Sequence, residues 1–497
     1  MPAALTYPGV YIEELSSGVR TITGVATSIA LFIGWAPKGP VDRAVRLTSF
    51  ADYQRTYGGL DLRSQLGYAV GQFYDNGGSD AYVIRLADTT AKIAKCKVGT
   101  MTIEASSPGD WANTLNIVTT KRTDDATRFR LEVTDANGVV LESFANLSMV
   151  TTDPRYALTA IKGRSSYLGT ITTTTTSTPP ADGTVQMSAV TAGDPGKVMA
   201  PDAGGPLGTK FLVDMLALFG VGGIADQIDL FNIVCVPGLA SKPDIAKLQK
   251  AVRDRRAFLV VDSAETATLS TVVGTLETGA DAGNSAVYFP WVLAPDPLQE
   301  GAVRAFPPCG FIAGIYARTD ASRGVWKAPA GTEASVTGAA GLVFTLSDAE
   351  NGQLNPAGVN CLRTMPVYGN IVWGARTLHG ADERGDEWKY VPVRRMALFL
   401  EESLYRGTQW VVFEPNDEPL WAQIRLNIGA FLQGLFRQGA FQGKTPKEAY
   451  FVKCDRETTT QADINNGIVN ILVGFAPLKP AEFVVIKIQQ MAGDLQT

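Results

Sequence analysis

The feature that most constrains the fold is a regular alternation of apolar runs and helix-like segments in the middle of the chain. Three apolar runs, at residues 230–236, 257–261 and 286–291, have the length and composition of buried strands. Segments with apolar residues at helical spacing separate them, and Ser241 can cap the first of these helices. Strands and helices that alternate with short links are typical of a parallel sheet with right-handed crossovers. We therefore predict an α/β protein with a Rossmann-like central mixed or parallel sheet and flanking helices.

The same pattern starts near the amino terminus. An apolar run at residues 27–35 is followed by proline and glycine, and residues 81–86 return as a strand after two more glycines. The helix predicted between these strands has one apolar face, formed by Leu62, Leu66, Ala69, Val70 and Phe73. These strands extend the predicted α/β layer.

Residues 92–204 interrupt the α/β pattern. Short β-like runs at 97–103, 115–120, 129–134 and 139–144 are separated by turn signals, and the Asn137-Gly138 pair favours a hairpin. A threonine-rich stretch at 170–180 has a composition that suits neither a helix nor a core. We predict a β-rich inserted domain that folds on itself and is exposed.

The last third of the chain contains the most strongly amphipathic segment. A helix is predicted at 394–406, followed by a strand-like run at Val411 and Val412, and the amphipathic helix covers 420–437. Two strands, at 467–475 and 483–488, end the predicted structure. Polar residues alternate with apolar ones in the final strand, so one of its faces is predicted to be apolar. That face is formed by Val484, Ile486 and Ile488.

Charge and hydropathy exclude several classes of protein. The 497 residues carry 44 basic and 49 acidic side chains, a net charge of −5, so we expect no whole-chain attraction to nucleic acid or anionic membrane. The apolar runs are too short to span a bilayer, and the first residues lack the pattern of a secretory signal. We therefore predict assembly in the cytoplasm of the producing cell, without membrane insertion.

No catalytic residue, cofactor or metal is predicted. The single histidine, His379, lies in a loop-like stretch without a catalytic motif and is expected to be solvated, as is the acidic run at 382–387. The five cysteines are scattered without a CxxC pair, which argues against a disulfide framework or a zinc site. The glycine-rich string at 220–225 follows a helix instead of a strand, and the string at 439–445 has too few residues between its glycines to bind phosphate.

Several short strings, taken together and in order, resemble the contractile tail sheath family of phage tails, R-type bacteriocins and extracellular injection systems. They are YPGVYIEE at 7–14, GDWAN at 109–113, YFPW at 288–291, GIYARTD at 314–320, GVWKAPA at 324–330, LNPAGVN at 354–360, WGARTL at 373–378 and FEPN at 413–416. The resemblance covers residues 1–120 and 205–497, which agrees with a variable insertion between them.

The resemblance implies a mechanical polymer. Sheath subunits form stacked hexameric rings around an inner tube, are linked by strands exchanged from their terminal arms, and meet baseplate and tail terminator proteins. Exposed strand edges in the arms also favour pairing between chains, although both ends could instead join this chain's own sheet. The predicted arm residues are Val10, Tyr11, Ile12, Glu13, Val484, Ile486 and Ile488.

The grip on the tube is predicted to be polar and weak in each contact, because a sheath must release its tube after contraction. The candidate residues lie on the helix at 420–437 and the turn after it, and they are Arg425, Arg437, Lys444 and Lys447. The resemblance implies a tube contact through such a C-terminal helix. The alternative for these side chains is that they are solvated charges beside a core-packing stripe.

The predicted division has six parts: an N-terminal arm at 1–20, a first part of the α/β core at 21–91, the inserted domain at 92–204, the continued core at 205–350, a C-terminal subdomain at 351–480 and a C-terminal arm at 481–497. The alternative function is a Rossmann-like nucleotide-binding enzyme whose site is not recognisable in the sequence.

Overall fold

The computed structural model describes residues 20–87, 93–174, 178–188 and 215–488. They form two compact units. The small unit contains residues 20–26, 323–328 and 392–488, and the large unit contains the described residues of 27–322 and 329–391. Strands and helices are numbered below in chain order.

The large unit is built on an eight-stranded mixed sheet. Its strands are β1 (Ala30–Gly34), β2 (Val45–Leu47), β3 (Ala81–Arg85), β11 (Ile233–Cys235), β12 (Phe258–Asp262), β13 (Ser285–Phe289), β17 (Val359–Met365) and β18 (Gly369–Val372). Their spatial order is β18-β17-β13-β12-β11-β1-β3-β2. The inner six strands are parallel, and β2 and β18 pair antiparallel at the two edges. The predicted parallel strands are confirmed.

Helices cover the apolar faces of this sheet. They include α1 (Phe50–Tyr57), α2 (Leu66–Asp75), α4 (Lys242–Asp254), α5 (Leu269–Val272), α6 (Cys309–Arg323) and α7 (Asp348–Leu354). Ser241 is the residue before α4, as predicted, but its side chain makes no capping hydrogen bond. Leu62 was predicted on the apolar face of α2, which is wrong: it precedes the helix and is exposed.

A second, three-stranded sheet in the large unit was not predicted. It consists of β14 (Val292–Asp296), β15 (Ala302–Phe306) and β16 (Gly341–Leu342), with β14 in the centre. The apolar run predicted as one strand at 286–291 ends at Phe289, and β14 begins three residues later. Sequence periodicity could not separate these strands because both are largely apolar.

Residues 94–188 form two antiparallel sheets around their own hydrophobic core. The strands are β4 (Lys95–Val98), β5 (Met101–Ala105) and β9 (Leu168–Thr173) in one sheet, and β6 (Asn116–Lys121), β7 (Arg128–Thr134), β8 (Val140–Ser148) and β10 (Gly183–Gln186) in the other, with α3 (Ala157–Ile161) beside them. The β-rich character is as predicted.

Two details of the inserted region differ from the prediction. The single strand expected at 97–103 is the β4–β5 hairpin, which turns at Gly99 with φ +59°. The threonine-rich stretch starts within β9, which pairs with β5, because threonine is branched at Cβ and suits a strand. The hairpin predicted at Asn137-Gly138 is confirmed: the Asp135 carboxylate accepts from the backbone N–H of Asn137, and Gly138 has φ +83°.

The small unit is mainly helical. Its elements are α8 (Val391–Gly407), α9 (Glu418–Arg437), α10 (Pro446–Ala449), β19 (Tyr450–Lys453), α11 (Gln461–Asn465) and β20 (Leu472–Phe475). The predicted apolar stripe of α9 faces the core of this unit, with Trp421 and Ile424 among its buried residues. The strand predicted at Val411 and Val412 is wrong, because residues 409–411 form a turn of 3-10 helix.

The structure also divides the chain differently near residue 351. Residues 359–372 contain β17 and β18, which belong to the eight-stranded sheet of the large unit. The C-terminal unit takes over only at residue 392. Partners that are distant in the sequence decide this boundary: β17 pairs with β13, some seventy residues earlier in the chain.

Candidate assembly surfaces

The C-terminal segment, residues 481–488, is the most exposed apolar stretch of the described chain. It has no regular secondary structure, and Phe483, Val484, Val485, Ile486 and Ile488 have exposed fractions between 74% and 92%. The strand predicted here is therefore not formed in residues 481–488, because no strand among the described residues supplies the ladder of hydrogen bonds that a strand needs. The alternative that this end pairs with the chain's own sheet does not hold for these residues.

Next to this segment in the sequence lies a small, open sheet. Strands β19 and β20 pair antiparallel, from Tyr450 opposite Phe475 to Lys453 opposite Leu472. Within the described residues no third strand pairs with either, apart from an isolated bridge between Phe441 and Pro477. A two-stranded sheet is marginally stable by itself, and its open edges can accept a strand from another chain.

The same unit fixes the base of the N-terminal arm. The backbone N–H of Arg20 donates to the Asn427 side-chain oxygen at 3.2 Å, and the Arg20 guanidinium lies 4.8 Å from the centre of the Trp410 ring. Ile22 is buried in the core of the small unit, and the Val25 N–H donates to the Ser403 hydroxyl at 3.2 Å. Residues 20–25 therefore cross α8 and α9. The predicted arm residues Val10, Tyr11, Ile12 and Glu13 lie outside the described residues.

The four predicted tube-facing cations fall into two groups. Arg425 is only one-third exposed, and its guanidinium contacts the Glu418 carboxylate at 2.6 Å and the Cys454 carbonyl oxygen. The side chains of Arg437, Lys444 and Lys447 are exposed: Arg437 ends α9, Lys444 lies in the loop after it, and Lys447 lies on α10. Arg425 is thus partly committed within its own unit, whereas the other three are better placed to meet a partner.

One acidic residue shapes the turn that carries the lysines. The Glu448 carboxylate accepts from the backbone N–H of Lys444 at 2.8 Å. This bond, together with hydrogen bonds from Thr445, holds the pKa of Glu448 below its usual range. The carboxylate therefore stays ionised and fixes the main chain from which Lys444 and Lys447 project.

His379 was predicted to be a solvated loop residue, which is wrong. Only 6% of it is exposed, its Nε2 lies 2.9 Å from the Gly279 carbonyl oxygen, and its Nδ1 lies 3.0 Å from the Asp386 carboxylate. Asp382, in the same acidic run, pairs with the buried Arg376 and with Lys389. Two carboxylates of the run, Asp382 and Asp386, therefore hold loops of the large unit together through their partners.

Ligands of α/β proteins commonly bind at the carboxyl ends of the parallel strands, and here that position contains a buried carboxylate. Asp262 ends β12 and accepts from the backbone N–H of Gly238 at 2.9 Å and of Cys309 at 2.8 Å. Burial raises the pKa of Asp262 to about 6. Because main-chain donors occupy both oxygens, the carboxylate connects β12 to the start of α6. Sequence reasoning missed this residue, although an acid directly after an apolar strand was a usable signal.

The two glycine-rich strings lie in turns and loops, and the cysteines lie in the protein core. Residues 220–225 form turns that follow a short helical segment and precede β11, as predicted, and Gly439–Thr445 follows α9. All five cysteines are free and buried. Within the described residues no cluster of three or more potential metal ligands occurs, and no helix there is long and apolar enough to cross a membrane.

Comparison with known proteins gives consistent matches along the chain. The family model for the phage tail sheath protein central domain matches residues 227–378, and the phage tail sheath C-terminal domain matches residues 383–491. Together they cover more than half of the chain. The tail sheath protein of Burkholderia phage BcepMu is 23% identical over 461 residues, which is 88% of this chain and 87% of that protein.

Solved structures show the same similarity of fold. The helical sheath of the anti-feeding prophage in its contracted state matches with a TM-score of 0.60 and 23% identity, over 98% of this chain and 100% of that chain. The crystal structure of a sheath tail protein from Listeria innocua matches with a TM-score of 0.62 and 15% identity, over 92% and 96%. The fold described above is thus shared with these proteins along nearly their whole length.

Proposed function

Because the chain belongs to the phage tail sheath family, we propose that it is the sheath subunit of a contractile tail or injection particle. Copies of it polymerise as stacked hexameric rings around an inner tube, and contraction of this lattice drives the tube through a target envelope. The family favours this function over a nucleotide-binding enzyme, because both matched models describe sheath domains. The particle is assembled in the cytoplasm of the producing cell and becomes part of a virion tail or a released device.

The observation that carries the proposal is that one chain has both an exposed apolar segment of strand-like sequence and a two-stranded sheet whose outer edges are unpaired in the described residues. Residues 483–488 expose an unpaired apolar strand sequence, and the β19–β20 sheet has open edges. Donation of the C-terminal segment of one copy to this sheet in another joins two different surfaces, so each new copy again offers a free strand and an open sheet. Such a head-to-tail contact extends without limit or closes into rings. The N-terminal arm at Val10 to Glu13 supplies the second link between copies.

Contraction needs no nucleotide if the extended lattice is metastable. An additional 100 Å² of apolar surface buried per subunit stabilises the contracted state by about 2.5 kcal/mol. Many subunits contribute this free energy together. Perforation of an envelope is then driven by energy stored during assembly.

The inner tube is the partner of the exposed cations Arg437, Lys444 and Lys447, with Arg425 as the weakest of the four candidates. Exposed ion pairs contribute about 0–1 kcal/mol each, which suits a contact that must hold before contraction and release afterwards. Baseplate and tail terminator proteins are the partners at the two ends of the lattice.

Electron microscopy of the purified full-length chain tests the function directly. We expect striated tubes, whereas compact particles at every concentration would contradict a sheath. A variant with Arg437, Lys444 and Lys447 all changed to Glu should still form tubes alone but should no longer enclose the tube protein. The control reverses Lys242, Lys247 and Lys250 on α4 of the large unit, and extended, filled particles are expected for it. Filled particles at normal yield with the first variant would exclude these residues as the tube contact.

A further inference from the structure

A fully exposed aromatic side chain in the small unit is held in an unusual backbone conformation. Phe413 has an exposed fraction of 103% and a φ of +70°. Bulky residues are rarely found in this left-handed region, where glycine or asparagine would cost less free energy. Strained residues of this kind concentrate at functional sites, where the surrounding structure imposes the conformation. Since the ring is fully exposed in the described part of the chain and lies outside the core of this unit, neither the strain nor the exposure helps the unit to fold.

The loop around Phe413 is firmly anchored. The Asn416 side chain donates to the Ile468 carbonyl oxygen and accepts from the Trp421 indole N–H, both at 2.9 Å. On the other side, the backbone N–H of Glu414 donates to the Val411 carbonyl oxygen at 3.1 Å. The ring is therefore presented to solvent by a fixed turn.

The loop around Phe413 is connected both to the base of the N-terminal arm and to the β19–β20 sheet. Trp410, three residues before Phe413, carries the Arg20 guanidinium at the base of the N-terminal arm. Ile468, bonded to Asn416, lies four residues before β20 of the open sheet. Val412 and Ile468 are themselves exposed, so the loop and its hydrogen-bonded neighbour add further apolar surface beside the proposed junction of two copies.

We propose that the Phe413 ring packs against the C-terminal segment, residues 483–488, of a second copy of this chain. The inference rests on the proposed function, because it requires copies that exchange this segment. The segment exposes five apolar side chains. Asn416 of the Phe413 loop is hydrogen-bonded to Ile468, four residues before β20, so a strand added beside β20 passes close to this loop. Charge is complementary as well: Glu414 is exposed beside the ring, and Lys487 is exposed within the segment. The contact of Phe413 thus depends on which residues of the donated strand face the ring, and it thereby fixes the register of that strand.

The first test compares polymerisation with stability. Phe413→Asn removes the ring but keeps a residue that tolerates a positive φ, so the thermal unfolding midpoint of the subunit should stay the same or rise. The concentration needed for tube formation, measured by sedimentation, should increase at least tenfold. Val221→Asn, at a fully exposed apolar position in the large unit, should change neither quantity. A Phe413→Asn subunit that polymerises normally, or that unfolds several degrees earlier, would overturn the proposal.

The second test locates the contact by cysteine cross-linking between copies. One copy carries Phe413→Cys and the other carries Val484→Cys or Val485→Cys, which lie on opposite faces of the donated strand. Background is low because all five native cysteines are buried. Mild oxidation of mixed tubes should give a covalent dimer with one of the two positions, and tubes without a dimer at either position would contradict the contact. If the unmodified chain forms no tubes, the proposed function fails; tubes without the dimer reject only the Phe413 contact.

Discussion

The large and small units satisfy their strands in different ways. In the large unit the central strands β1, β11, β12 and β13 are buried along their entire length, and short antiparallel strands close both edges of the sheet. The small unit has a helical core, but among its described residues no strand pairs with the outer edges of the β19–β20 sheet or with the apolar segment at 483–488. The described strands of the large unit's central sheet thus find their partners within the chain, whereas we propose that other copies complete the small unit.

The difference between the two units indicates where contacts between copies can form without lowering the stability of the subunit. In the proposed assembly, contacts between copies can form and rearrange at residues 483–488, because the core of the small unit is formed mainly by α8 and α9, without this segment. Large exposed apolar patches are rare in monomers and mark interaction sites. The exposed C-terminal segment is thus best explained as one half of an interface.

A change from Phe to Ala should lower the free energy of unfolding strongly in the central sheet and hardly at all in the C-terminal segment. Phe258→Ala in buried β12 should lower the free energy of unfolding by about 3–5 kcal/mol, because it leaves a cavity in the central sheet. Phe483→Ala in the exposed segment should change it by less than about 0.5 kcal/mol. Urea denaturation of the unassembled subunit measures both. A loss above about 2 kcal/mol for Phe483→Ala would show that the segment packs within its own chain.

The large unit should also show a pH dependence that arises from Asp262. Burial raises its pKa to about 6 in the folded state, so between about pH 4 and 6 the Asp262 carboxyl binds more protons in the native protein than in the unfolded chain. The contribution of Asp262 to stability should therefore fall by about 2–3 kcal/mol as the pH rises from 4 to 6 and then level off, which is measured as the difference from Asp262→Asn. Unfolding midpoints across this range should lose that slope in Asp262→Asn. The matched Asp348→Asn change, at an exposed carboxylate of the same unit, should keep it.

The inserted region should behave as a third, separable body. Replacement of residues 94–188 by a short Gly/Ser linker removes its own core, together with hydrogen bonds from Arg85 to the Pro108 carbonyl oxygen and from the Gly39 N–H to the Ser107 hydroxyl. It also removes the ion pair between Arg63 and Asp110 and the two aromatic rings beneath the Lys38 ammonium. The remaining chain should lose about 3–5 kcal/mol, since each hydrogen bond contributes about 1 kcal/mol and each of the other contacts about 0–1 kcal/mol. Tube formation should persist. An insoluble product would mean that this region is needed to fold the sheet.

Sequence periodicity predicted the strands and helices whose buried faces are visible in the spacing of their apolar residues. The parallel strands β11 to β13 and the helix α9 were recognisable because their apolar residues follow the spacing of a buried strand or of one helix face. The sheet β14–β15–β16 was missed, since β16 has only two residues and carries no periodic signal. His379 was misjudged because its partners, Gly279 and Asp386, are loop residues that only the folded chain brings together.

The candidate surfaces divide in the same way. Alternation at Val484, Ile486 and Ile488 indicated a strand, but the sequence could not say whether its partner belonged to the same chain. Neither the positive φ of Phe413 nor the full exposure of its ring could be predicted from the spacing of residues in the sequence. The sequence also did not show that Arg425 pairs with Glu418, which lies seven positions earlier on the same helix.

The most direct test of the account is removal of residues 481–497 from the full chain. Because the described part of this segment contacts no core, the truncated subunit should remain soluble and unfold at the same temperature as the intact one. Electron microscopy should show single subunits under conditions in which the intact chain, and the chain without residues 94–188, form tubes. Tubes at normal yield from the truncated chain, or a subunit that no longer folds, would contradict the claim that another copy completes the small unit.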